Sequence, residues 1–201
     1  EKCGSCGFSL TNPRPKKEKL KKYYLSKNYI SHTNKKNGLF NWLYQKIRKI
    51  TVGKKVRLLN RLLKNKGAIL DVGSGTGEFL FACKKNKWKV QGIEPSSIAR
   101  EKAIKNYNLT VLEKTDLSLL KEKSFDAITM WHVLEHIPNL SKTIDSLHKI
   151  LKNNGVLIIA VPNIKSYDAC YYKEFWAAYD VPIHLWHFSK ENMIQLFNNH
   201  E

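Results

Sequence analysis

Residues 69–80 read ILDVGSGTGEFL. The short apolar run before the glycines has the length of a buried strand, and it ends at Asp71 and Val72. Gly73, Gly75 and Gly77 then fall at alternate positions. Glycines so spaced allow a tight turn and let a ligand approach the backbone where the next helix starts. Dinucleotide-binding turns use G-x-G-x-x-G and place a pyrophosphate on the helix N-terminus. Here the spacing is G-x-G-x-G, an acidic residue precedes it, and Glu78 falls in the first helical turn. Carboxylates at that rim repel pyrophosphate and suit a ligand with a cationic amino-acid end.

Working outward, short apolar runs recur at AILDV, KVQGIE, LTVLE, FDAITMW and GVLIIAV, each bounded by Gly, Pro or charge. Helical patterns over 77–87, 96–106 and 140–151 separate them. Strand and helix in alternation predict an α/β fold, a Rossmann-like parallel sheet with helices on both faces. Pro162-Asn163 breaks the chain after the fifth run, and an aromatic stretch follows. Ser189 reads as an N-cap opening a helix over 190–198.

Three regions separate by composition. Residues 1–15 carry C-G-S-C-G, in which Cys3 and Cys6 have the spacing of a metal knuckle. Tetrahedral zinc needs four ligands, so this partial zinc-ribbon-like segment is expected to hold zinc only within a longer chain. Residues 16–66 are basic and aromatic and predict a helical cap of one or two amphipathic helices. Its apolar stripe (Leu39, Leu43, Ile47, Ile50, then Val56, Leu59, Leu62, Leu63) is expected to pack on the main domain, with lysines solvated on the other face. Tyr29, Ile30, Ser31 and His32 are placed to reach a substrate. Residues 67–201 form the ligand-binding domain; the fold that the motifs below resemble normally closes on antiparallel strands, which are therefore expected to lie beyond the sequence.

The 201 residues suffice for one α/β domain with a core, and an apolar fraction of 42% excludes a disordered chain. No run is long enough to cross a bilayer. A net charge of +18 raises the question of nucleic acid. The basic residues spread from Lys16 to Lys190 without an arginine cluster or stacking aromatics, so a nucleic-acid partner is not expected. Four scattered cysteines make no disulfide framework and point to a cytoplasmic setting.

A second discriminator is Glu94, which closes the second run in GIEPS. A carboxylate at that strand end accepts two hydrogen bonds from a ribose diol. After the third run, Asp116 can accept from an exocyclic adenine amine while Leu117 packs on the ring. ILDVGSGTGEFL, GIEPS, the later acidic residue, SFDAITMWHVLEHIPN and LKNNGVLIIAVPN resemble, in order and spacing, the class I S-adenosylmethionine-dependent methyltransferases. The resemblance implies that Asp71, Gly73, Ser74, Gly75 and Gly77 lie along the methionine and ribose of the cofactor. It assigns Glu94 and Pro95 to the ribose hydroxyls and Asp116 with Leu117 to the adenine. It sets Met130, Trp131 and His132 beneath the sulfonium. The flanking C-x-x-C-G, F-x-x-x-x-P-R-P and PIHLWHFSKEN resemble the bacterial group with an N-terminal zinc-ribbon remnant, related to the ubiquinone-biosynthesis O-methyltransferases.

The function implied is in-line methyl transfer from S-adenosylmethionine to a small-molecule acceptor, most simply an oxygen. Removing the acceptor's proton calls for a base, and the candidates are His184, His132 and His187, with His184 first. In WHVLEH, a helical turn would put His132 and Glu135 on one face beside His136. Related O-methyltransferases hold a divalent metal here on two carboxylates and a histidine. His132 in place of a carboxylate weakens a hard-cation site, and no metal is expected. The alternatives are a nicotinamide-dependent oxidoreductase, against which the glycine spacing speaks, and an RNA methyltransferase or RNA-binding module using the basic surface.

Overall fold

The five apolar runs become the strands of one parallel sheet in a computed structural model that describes residues 1–15, 39–113 and 116–198. In chain order the elements are β1 (Ser9–Leu10), α1 (Leu39–Leu62), β2 (Ala68–Val72), α2 (Glu78–Lys85), β3 (Lys89–Ile93), α3 (Ser97–Tyr107) and β4 (Val111–Leu112). Then come β5 (Phe125–Trp131), α4 (Leu140–Ile150), β6 (Leu151–Ala160), α5 (Tyr167–Tyr172), β7 (Trp186–His187) and α6 (Lys190–Asn198). The sheet order is β4-β3-β2-β5-β6, with every pair parallel. The third strand is shorter than its apolar run predicts, and β6 starts directly after α4.

The described residues fall into two units. One comprises Trp42–Val133 with Ser141–Ala160 and contains the parallel sheet. The other comprises Glu1–Asn41, Leu134–Leu140 and Val161–Glu201. The division therefore does not follow chain order: the notional cap helix α1 belongs almost wholly to the sheet unit.

In the sheet unit Ile69 pairs with Ala127 and Leu70 with Ile128. Ile69 and Ala127 share a core cluster with Val56 and Leu59 of α1 and Phe79 and Cys83 of α2. Leu70 and Ile128 point to the opposite face and are equally buried, so helices cover both sides. At about 25 cal/mol per Å2 of apolar surface, each such side chain contributes roughly 2 kcal/mol.

The expected packing of α1 holds for only half its stripe. Val56 and Leu59 are buried, but Leu43, Ile47 and Ile50 are about half exposed, at 49%, 54% and 55%. The helix carries two apolar stripes, and the one continuous with Val56 and Leu59 faces the sheet. Nor are its basic residues all solvated, as the candidate site below makes plain. Glycine closes the first turn: the N–H groups of Gly73 and Ser74 both donate to the Ile93 carbonyl, tying β2 to β3.

In the other unit β1 pairs antiparallel with β7, Ser9 opposite His187. Thr11 Oγ1 donates to the His184 carbonyl at 2.6 Å and lies 2.9 Å from His187 Nε2. Ser189 caps α6 by accepting from the Asn192 N–H, and Asn192 Oδ1 accepts from the Ser189 N–H and hydroxyl in return.

Candidate active site

The glycine turn between β2 and α2 is built for close approach. Gly73, Gly75 and Gly77 all have positive φ, of 73°, 54° and 85°, a region that costs other residues about 1 kcal/mol or more. Their surroundings differ. A Cβ on Gly73 would collide with the Val133 side chain, and one on Gly77 would meet Leu109 at 2.7 Å and Ala103 at 2.8 Å. A Cβ on Gly75 would meet nothing within 4 Å. Two of these glycines thus serve the fold, and the third faces open space.

Glu94 lies at the same edge. Its Oε2 accepts from the Gly75 N–H at 2.8 Å and its Oε1 from the Ser96 N–H at 2.9 Å. Each oxygen keeps a second lone pair for a ligand hydroxyl. Pro95 beside it is exposed and Ser74 is buried. Asp71 is buried and accepts from Thr129 Oγ1 at 2.6 Å. Burial pushes its carboxyl up to about 7, although the Thr129 hydroxyl and Lys55 favour the charged form.

Helix α1 contributes two basic residues, an arginine on which the sequence reading was silent and a lysine that it left as solvent-facing. Arg48 pairs with Glu78 at 3.0 Å, and its Nη2 also donates to Thr76 Oγ1, whose hydroxyl donates to Glu78. Glu78 is therefore matched by the protein's own cation and is not left for a cationic ligand. Lys55 Nζ sits 4.2 Å from the centre of the Trp131 ring. Burial lowers its pKa, opposed by the Asp71 charge. No motif marks these residues; only their helical position relative to buried Val56 and Leu59 identifies them.

Farther along the edge, Asp116 Oδ1 accepts from the Ser118 N–H and hydroxyl, and Lys142 lies 3.3 Å from Oδ2. The Ser118 hydrogen bonds, chiefly, hold its carboxyl below the usual range. Leu117 is buried. Met130 is fully buried within the sheet, while Trp131 is partly exposed and meets Phe79 edge-on. Asp71, Gly73, Ser74, Gly75, Gly77, Glu94, Pro95, Asp116, Leu117, Met130, Trp131 and His132 all belong to the sheet unit.

The histidines separate. His132 is exposed, has φ 59°, and its N–H donates to the Ala160 carbonyl. It therefore precedes the 3-10 turn Leu134–His136, and the helical spacing expected to align it with Glu135 does not apply. His184 and His187 are buried in the other unit. His184 Nδ1 binds the Ala178 carbonyl at 2.8 Å. His187 is held down to about 4, first by burial and then by the His184 charge. Tyr29, Ile30, Ser31 and His32 lie outside the described residues.

At the N-terminus Cys3 and Cys6 lie in a backbone turn. The Gly7 N–H donates to the Cys3 carbonyl and the Cys3 N–H to the Phe8 carbonyl. Hydrogen bonds, first from the Cys6 backbone and then from the Ser5 backbone, lower the Cys3 thiol pKa. All four cysteines are free, and two thiols are half of a tetrahedral zinc set.

A glycine turn after a first strand, a carboxylate closing the second, and five parallel strands define a class of nucleoside-binding α/β proteins. A methyltransferase domain model matches residues 44–201. A ubiquinone biosynthesis O-methyltransferase of Haemophilus ducreyi is 34% identical over 112 residues, 49% of this chain and 48% of its own. An uncharacterised protein of Methanocaldococcus jannaschii is 29% identical over 145 residues, 68% of this chain and 56% of its own. The chain thus spans about half the length of these curated relatives. Among solved structures, a SAM-dependent methyltransferase of Thermotoga maritima is 25% identical with a TM-score of 0.59, covering 79% of this chain and 77% of that one. One from Archaeoglobus fulgidus, 20% identical, shares the fold with a TM-score of 0.63, over 81% of this chain and 73% of its own.

The chain belongs to the methyltransferase domain family, in the class I S-adenosylmethionine-dependent group related to the ubiquinone-biosynthesis O-methyltransferases. That membership decides against the nicotinamide-dependent alternative. Among the described residues no helix is long and apolar enough to cross a membrane.

Proposed function

We propose that this protein binds S-adenosylmethionine at the carboxyl edge of β2 and β3 and methylates an oxygen of a small-molecule acceptor. The observation that carries the reading is the pairing of Gly75 with Glu94: open space at the glycine and a carboxylate fastened to its N–H. The residues present fit the cofactor, since a ribose can approach the Gly75 backbone while Glu94 accepts from its hydroxyls. When bound, S-adenosylmethionine supplies a methyl already activated by its sulfonium.

The protein's own part is positioning. Lys55 offers a cation for the ligand's carboxylate, and Asp71 a carboxyl beside it. Asp116 and Leu117 offer an acceptor and an apolar surface for the adenine. His132, exposed at the end of β5 with Val133 set against Gly73, is the base that the geometry favours for the acceptor's proton. His184 and His187 have their rings tied to Ala178 and Thr11, which makes them weaker candidates. Four free thiols suit a cytoplasmic setting.

Calorimetric titration with S-adenosylhomocysteine tests the cofactor. The unmodified chain should bind it and Glu94→Ala should bind at least about tenfold more weakly, the worth of one charge-assisted hydrogen bond. Binding of NAD in its place, or an unchanged affinity in Glu94→Ala, would overturn the reading.

A further inference from the structure

We propose that Glu135, His136 and His184 form a site for one divalent metal ion of the zinc type. The three residues meet although they come from distant stretches of one unit, the turn Leu134–His136 and the loop after Ala177–Tyr179. One ligand-capable atom of each lies within 4.8 Å of the other two. The histidine rings stand edge to face with centroids 4.6 Å apart. Glu135 is fully buried and His184 nearly so.

The tautomers point the same way. His136 Nδ1 lies 3.3 Å from the Ile183 carbonyl and His184 Nδ1 2.8 Å from the Ala178 carbonyl. A carbonyl only accepts, so both Nδ1 atoms carry a proton, and in its neutral form each ring has its lone pair on Nε2. Ligating histidines are held in this way, the outer N–H on a backbone oxygen and the inner nitrogen towards the ion. The scaffold is pinned as well. The Leu185 N–H donates to the Glu135 carbonyl at 2.8 Å, and Trp186 Nε1 to the Ile137 carbonyl at 2.7 Å.

The donor set selects the ion. Two imidazoles and one carboxylate suit zinc, cobalt, nickel or iron, whereas magnesium and calcium prefer oxygen. Tetrahedral bonds of about 2.0–2.2 Å would bring the ligand atoms to roughly 3.5 Å apart, a contraction on the order of 1 Å. Three protein ligands leave a fourth position open, and Asp180 Oδ2 stands 3.8 Å from His184 Nε2 at its rim. This set is not the one expected within WHVLEH, because His132 takes no part and His184 supplies the third donor.

The test uses the whole chain carrying Cys3→Ser and Cys6→Ser, so that the knuckle thiols bind nothing. After chelation and dialysis, Co2+ is titrated while visible absorption is followed, and Zn2+ is then added. One Co2+ per chain is expected, with d–d bands, no thiolate charge transfer, and displacement by Zn2+. Zn2+ should also raise the melting temperature where Mg2+ does not. Glu135→Gln and His184→Gln should each weaken Co2+ binding at least about tenfold, and the exposed His148→Gln should leave it unchanged. Absence of Co2+ and Zn2+ binding in the chain carrying Cys3→Ser and Cys6→Ser, the result if the three groups merely share a proton, overturns the proposal. So does Co2+ binding undiminished in His184→Gln or Glu135→Gln, or equal stabilisation by Mg2+.

Discussion

Lys55 Nζ lies 4.2 Å from the centre of the Trp131 ring, on a helix whose Val56 is packed into the sheet's core. The cation is held at the edge where β5 ends. Replacing it by methionine keeps the stem and removes the charge. Lys55→Met should bind S-adenosylhomocysteine about ten- to a hundredfold more weakly, with Lys55→Arg in between. Equal affinities across the three proteins in calorimetry would remove Lys55 from the ligand's carboxylate.

Asp71 gives the sheet unit a pH dependence of unusual sign. Its ordinary pKa of 3.8 rises to about 7 in the fold, chiefly because it is buried. Between those values the folded chain holds a proton that the unfolded chain has released. Its contribution to stability therefore falls as pH rises through that window, by at most about 1.4 kcal/mol per unit. Asp71→Asn should flatten this slope, and melting temperatures measured from about pH 4 to 7 would display the difference.

Gly75 and Gly77 should respond oppositely to alanine. Gly77→Ala adds a methyl into Leu109 and Ala103 at positive φ and should destabilise by on the order of 2–4 kcal/mol. Gly75→Ala meets no neighbour, so it should cost about 1 kcal/mol of strain yet impair cofactor binding severely. Urea melts read the first effect, calorimetry the second. A Gly75→Ala protein that binds normally would mean the ligand lies elsewhere.

His187 makes the other unit acid-sensitive. Its ring resists protonation down to about 4 in the fold, whereas its ordinary pKa is 6.5. The unfolded chain takes up that proton first, so this contribution is complete above 6.5 and is lost as pH falls towards 4. Thr11→Val removes the hydroxyl that serves both His187 and the His184 carbonyl. It should cost about 1–2 kcal/mol near neutrality, visible in thermal melts.

The strands and the glycine turn were legible because buried parallel strands are short apolar runs and positive φ favours glycine. Glu94 was legible from its place at a strand end. The orientation of α1 was not, because two apolar stripes compete on it and periodicity does not say which one packs. Arg48 and Lys55 are two of 35 basic residues, and nothing local distinguishes them. His184 could be joined to Glu135 and His136 only in three dimensions. That contact depends on the path of a loop rich in turns.

The Thr11–His187 contact spans 176 residues. The unit it closes is assembled from both ends of the described chain and a short middle piece, while the parallel sheet is complete by residue 160. During synthesis the sheet can therefore form while the opening residues still await their partners. Biogenesis has a built-in order, in which Ser9–Thr11, made before the sheet, settle only after Trp186 and His187 have followed it.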